Sequence, residues 1–197
     1  VEAKYMNLTE GEEWYMNSVG SVAGVVGENV GTVKLSFNKG NIILTRNNTS
    51  CNTYEVIGGV VGFLGQPSSS TPGTIEDCYN VGKISGYGTY FGGICGDAYV
   101  GSISRTYNVG TVSSTMSNPS VGSVVGAYNN QATIKSSYWL SGTASSGYGI
   151  LWNSPSTSGI ISRTSSQIKN LTSTLGTANW KDDSNNINSG YPILSWQ

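Results

Sequence analysis

The chain has 197 residues, a net charge of −1, no histidine and only 11% charged residues, about half the usual share. That balance excludes a nucleic-acid partner, which needs a concentrated basic surface, and a polybasic membrane contact. Without histidine, Ser-His-Asp and Cys-His nucleophilic chemistry and the usual catalytic zinc are excluded too, so no cofactor or metal is expected.

The chain begins with no basic n-region or apolar h-region, and reads as mature or excised from a longer protein. No apolar run is long enough to span a bilayer. Residues 1–18 hold the acidic cluster Glu10, Glu12 and Glu13 beside Trp14 and Tyr15. This segment is expected to be an N-terminal cap, with Trp14 plugging an otherwise open core.

Four repeats fill residues 19–144. Their first halves read VGSVAGVVG (19–27), IGGVVG (57–62), FGGICG (91–96) and VGSVVG (121–126). The second halves read GTVKLSFNKGNI (31–42), GTIEDCYNVGKI (73–84), GSISRTYNVGTV (101–112) and ATIKSSYWLSGTA (132–144). The aromatic positions Phe37, Tyr79, Tyr107 and Tyr138 are spaced 42, 28 and 31 residues apart. Such periods, rich in Gly and β-branched residues, predict an all-β chain of stacked coils: a parallel β-solenoid, or β-helix, right-handed by the preference of parallel connections.

In register, Val33, Ile75, Ile103 and Ile134 form one column, and Val26, Val61, Cys95 and Val125 another. Ser36, Cys78, Thr106 and Ser137 form a column of small residues. Cys78 and Cys95 are therefore expected to be buried packing thiols; the third cysteine, Cys51, lies in the insertion LTRNNTSCNTYE. Asn38, Asn80 and Asn108 follow the aromatic and are expected to form a ladder of stacked amides, aided by Asn's tolerance of a left-handed turn. Trp139 should end it.

Residues 145–197 form the C-terminal part. SSGYGILWNSPSTSG (145–159) reads as a loop or irregular final coil. RTSSQIKNLTSTLG carries a capping box, Thr164 with Gln167, then Ile168, Leu171 and Leu175, and the stop Gly176, which predicts a short capping helix. PILSW suggests a last strand.

The repeated text resembles the GLUG repeat of bacterial surface proteins, and NINSGYPILSW resembles the segment that closes such arrays. Ser21 and Ser123 in place of the middle Gly, and Trp139 in place of Asn, depart from the pattern. The resemblance implies a β-solenoid at the cell surface or in the extracellular space, alongside adhesin-like proteins and some immunoglobulin-cleaving peptidases whose catalysis lies elsewhere.

Chemistry-bearing residues are few. Glu76, Asp77, Asp97 and Arg105 are the charges within repeats two and three that a β-helix lyase or hydrolase could use, but Asp77 and Arg105 align as a cross-strand ion pair. Lys181, Asp182, Asp183 and Asn185 lack the spacing of a Ca²⁺ loop and read as a solvated turn. Tyr87, Tyr90, Tyr99 and Tyr128, expected in or beside turns outside the core columns, form the candidate ligand surface. The chain thus reads as a non-catalytic structural or adhesion module whose partner is a host or cell-surface protein or glycan. The alternatives are a carbohydrate-active or carbohydrate-binding β-helix, and a surface-binding face built on the row Thr32, Thr74, Ser102 and Thr133.

Overall fold

A computed structural model describes residues 2–4, 20–45, 55–66 and 71–197. Trp14, the acidic cluster and Cys51 fall outside the described residues. Strand β1 (Glu2–Lys4) precedes repeat one, which gives β2 (Gly20–Ala23), β3 (Val26–Asn29), β4 (Thr32–Lys34), β5 (Phe37–Asn38) and β6 (Ile42–Thr45). Repeat two gives β7 (Glu55–Gly58), β8 (Val61–Leu64), β9 (Gly73–Asn80) and β10 (Ile84–Gly86). Repeat three gives β11 (Tyr90–Gly92), β12 (Cys95–Ala98) and β13 (Gly101–Asn108); repeat four gives β14 (Ser120–Gly122), β15 (Val125–Asn129) and β16 (Ala132–Leu140). Then follow β17 (Tyr148–Trp152), β18 (Ile160–Arg163), helices α1 (Ser165–Lys169) and α2 (Thr172–Leu175), β19 (Trp180–Lys181) and β20 (Ile193–Leu194).

The fold is all-β with parallel sheets. Successive repeats add neighbouring strands to the same three sheets, ordered β14-β11-β7-β2, β17-β15-β12-β8-β3 and β18-β16-β13-β9-β4. The segment expected to be a loop or irregular final coil, 145–159, contributes β17, and β18 follows it, so two sheets gain a further strand. β19 and β20 pair antiparallel, which places the predicted last strand at Ile193–Leu194.

The predicted columns stand in register. Ile103 pairs with Ile75 and Ile134, Val33 with Ile75, and Cys95 with Val61 and Val125. They meet in one buried cluster with Leu64, Ile94 and Tyr128. Full burial of each Ile removes its side chain from water, worth about 1.5–3 kcal/mol apiece. Cys78 and Cys95 lie in this cluster, and burial pushes the Cys78 thiol up to about 12 and Cys95 well above its usual range. Both are uncharged packing groups. Thr32, Thr74, Ser102 and Thr133 also align, across the outer ladder.

The first repeat needs a correction of register. Val22 and Ala23 pair with Ile57 and Gly58, and Ser21 with Val56. Gly24, not Ser21, therefore occupies the middle glycine position. The text VGSV fits the motif twice, and only the sheet decides which fit is used.

The asparagine ladder forms. Asn38 Nδ2 donates to Asn80 Oδ1 at 2.8 Å, and Asn80 Nδ2 to Asn108 Oδ1 at 2.7 Å. Each amide also closes its own turn: Asn80 accepts from the Gly82 N–H and donates to the Gly82 carbonyl. None of the three asparagines has a positive φ. The left-handed residues lie three positions earlier, at Leu35, Asp77, Arg105 (each φ 51°) and Ser136 (φ 46°). There the ladder skips a residue, pairing Ser104 with Glu76 and then Thr106 with Cys78. Such a kink, shared by the stacked strands, turns them together, at a cost of about 1–2 kcal/mol for an L-residue.

The ladder does not stop where Trp139 replaces Asn. Asn108 Nδ2 donates to Ser123 Oγ at 2.9 Å, and Ser123 Oγ lies 2.7 Å from Thr143 Oγ1. In the preceding repeats the middle position must be glycine, because a Cβ on Gly93 would come within 2.0 Å of the Ser123 carbonyl of the next repeat and 2.4 Å of the Asn108 amide. Where the amide is gone, Ser fits and its hydroxyl carries the chain of hydrogen bonds onward.

Candidate functional site

The predicted Asp77–Arg105 pair exists and is part of a larger cluster. Arg105 Nε donates to Asp77 Oδ1 at 2.7 Å and its Nη2 to Asp77 Oδ2 at 3.0 Å, with a further contact to Glu76. Asp77 is only 2% exposed. It also accepts from Trp180 Nε1 at 2.9 Å and Asn179 Nδ2 at 2.8 Å. Burial raises its pKa, but hydrogen bonds from Arg105, Trp180 and Asn179 and the Arg105 charge outweigh it and hold the carboxyl below its usual range. A carboxylate with four donors is a fastener, not a poised acid or base.

What it fastens is the C-terminal segment. The expected single helix is split into α1 and α2 at Asn170, with the Thr164–Gln167 capping box present. Ile168, Leu171, Leu175 and Trp180 pack against Tyr79, Tyr107 and Tyr138. Phe37, Tyr79 and Tyr107 stack with centroids 5.0 Å apart. Trp180 leans on Tyr79 and Tyr107, and Trp196 on Phe37. Tyr107 Oη donates to the Pro192 carbonyl at 2.6 Å, and Tyr79 Oη to Gln197 at 3.0 Å. The segment therefore lies along the aromatic column, crossing the repeats. Sequence reading missed this; Trp180 and Trp196, in a tail without repeat text, were its signal.

Of the four candidate tyrosines, Tyr87, Tyr90 and Tyr99 are half-buried and belong to different parts of repeat three. Tyr87 follows β10, Tyr90 lies in β11 between Val56 and Ser120, and Tyr99 follows β12 and stacks on Phe63 at 6.1 Å. Tyr128 is a correction: it is 2% exposed, within the core. β15 continues through Asn129, so Tyr128 is a strand residue, and its ring is accommodated above the small Ala98, with which it pairs.

Tyr128 nevertheless reaches a site. Its hydroxyl donates to the Ser156 carbonyl at 3.1 Å and accepts the Ile134 N–H at 3.2 Å. Around it is a cavity of about 630 Å³ between the first half of β16 and residues 154–159. Its lining includes Thr133, Lys135, Ser154, Ser156 and Ser158. Neither Lys135 nor this serine-rich wall carried a motif that could have marked it.

The remaining acidic groups divide. Asp97 is buried, its Oδ1 has no hydrogen-bond partner among the described residues, and burial pushes its pKa up to about 7. Asp183 accepts backbone N–H groups of Ile187, Asn188 and Gly190, which makes it the organiser of a turn. Among the described residues no group of three or more His, Cys, Asp or Glu could hold a metal ion, and no helix is long and apolar enough to cross a membrane.

No family model matches the chain, and no curated protein does. Among solved structures it is similar to the crystal structure of a "putative immunoglobulin A1 protease" from Bacteroides ovatus. The identity is 15%, the match covers 100% of this chain and 87% of that one, and the TM-score is 0.43.

Proposed function

We propose that the chain is a non-catalytic structural and adhesion module of a bacterial surface or secreted protein: a right-handed β-solenoid of GLUG-type repeats serving as a stalk or a ligand-presenting scaffold. The observation that carries this reading is the unbroken register of identical columns, with one strand from each repeat in each of three parallel sheets. Its central charges support the same reading, since Asp77 and Arg105 are taken up in holding the C-terminal segment in place. The test is incubation of the chain with panels of polysaccharides and proteins. Binding without product is expected. Product that disappears in Asp77→Asn or Glu76→Gln would overturn the reading.

A second reading, a carbohydrate-binding β-helix, is favoured by one feature, the hydroxyl-lined cavity beside Tyr128. Polar walls over a rigid strand suit sugar hydroxyls. Retention of the chain on an immobilised glycan, lost when the cavity is filled by Ser156→Trp, would support it.

A further inference from the structure

The cavity lies where the stacking pattern lapses. β16 pairs with β13 from Ala132 to Trp139, but with β18 only from Ser137 to Leu140. Residues 153–159 leave the sheet because Asn153 and Ser154 are both left-handed (φ 59° and 51°) and Pro155 has no N–H to give. Along a parallel strand, alternate residues aim their N–H and C=O at opposite neighbours. The Gln131 carbonyl accepts from Gly101 in the preceding repeat. Ala132 and Ile134 therefore aim their main-chain groups into the cavity. Tyr128 Oη satisfies the Ile134 N–H there.

We propose that this cavity binds a carboxylate-bearing sugar of the hexuronic-acid class, a proposal that rests on the carbohydrate-binding reading above. Lys135 is the one charged side chain among the lining residues, and no carboxylate accompanies it. An anionic group on the ligand is therefore matched, and a metal cation is not. Thr133 and Ser154, with the hydrogen-bonded pair Ser156 and Ser158 (Oγ–Oγ 3.0 Å), belong to both walls, so an apolar ligand would take hydroxyls out of water without replacing its hydrogen bonds. A phosphate would want several cations or a nest of N–H groups rather than a single lysine. An extended peptide adding to the β16 edge is blocked at both ends. Asn130 N–H already donates to the Trp152 carbonyl at 3.2 Å, and Ser137 N–H to the Gly159 carbonyl at 2.9 Å. A single compact ring carrying hydroxyls and one carboxylate fits between these closures.

The test is an NMR titration of the whole chain with glucuronate, glucose, acetate and a short acidic peptide, each added separately. Glucuronate should shift the amides of 132–136 and 154–159, with glucose binding about fivefold more weakly. Lys135→Gln, at an exposed position, should remove that preference and bring glucuronate binding down to the level of glucose. Equal binding of glucose and glucuronate would keep a sugar site and overturn the carboxylate assignment. Shifts produced equally by acetate, or a peptide that binds better than the sugar, would also overturn the proposal. No shift with either sugar would overturn the carbohydrate reading together with it.

Discussion

β13 and β16 carry the same motif, yet they end in different states. β13 is paired on both edges from Gly101 to Asn108. Its kink residue Arg105 is held by Asp77, and its Asn108 is a rung of the ladder. β16 has the same left-handed kink at Ser136, but no charge stands there, Trp139 replaces the rung, and half of one edge faces a cavity. Where repeats match, polar groups satisfy one another across layers. Where the match lapses, the same groups face an open cavity.

The largest effects should fall on the matched side. Asn80→Leu leaves the Gly82 N–H and C=O without partners in a fully buried site and takes one bond each from the Asn38 and Asn108 amides, and should cost about 4 kcal/mol in urea unfolding. Ser123→Gly, at the far end of the same ladder, should cost about 1 kcal/mol; equal costs would mean that the ladder is not graded in this way. Trp180→Phe keeps most of the packing on Tyr79 and Tyr107 but loses the bond to buried Asp77, and should cost about 2 kcal/mol.

Asp77 and Asp97 should respond to pH in opposite directions. Asp77 has a lowered native pKa, so its contribution is present above its unfolded value of about 3.9 and is lost as pH falls through the native one. Asp77→Asn should flatten the loss of stability in acid. Asp97 has a raised native pKa, so its contribution is complete below about pH 3.9 and is lost as pH rises through about 7. Asp97→Asn should therefore gain up to about 4 kcal/mol at pH 8 and nothing at pH 4, read from unfolding curves at the two pH values. A gain at both would place the Asp97 cost in packing rather than charge.

Much of the matched region was legible because a column repeats its chemistry every layer: Ile103 over Ile75, Tyr107 over Tyr79, Asn80 over Asn38. The kink was not, because Leu35, Asp77, Arg105 and Ser136 share no chemistry. Their left-handed backbone is imposed by the stack rather than by any residue preference. Tyr128 was misplaced because its amide-rich neighbours look like a turn, whereas the space above Ala98 draws the ring inward. β17 was missed because the Gly-Gly text fades before the pairing does. The cavity was invisible in the sequence for a related reason. Asn153, Ser154 and Pro155 signal only a loop, and what that loop uncovers depends on the strand beneath it.

The register itself is the central claim, and a disulfide trap tests it most directly. Ser102 Oγ lies 3.4 Å from Thr74 Oγ1 on the neighbouring strand, a separation that suits a disulfide. With Cys51 replaced by Ser, Thr74→Cys with Ser102→Cys should cross-link under mild oxidation, whereas Thr74→Cys with Thr133→Cys, two repeats apart, should stay reduced. Cross-linking of the second pair in preference to the first would contradict the account.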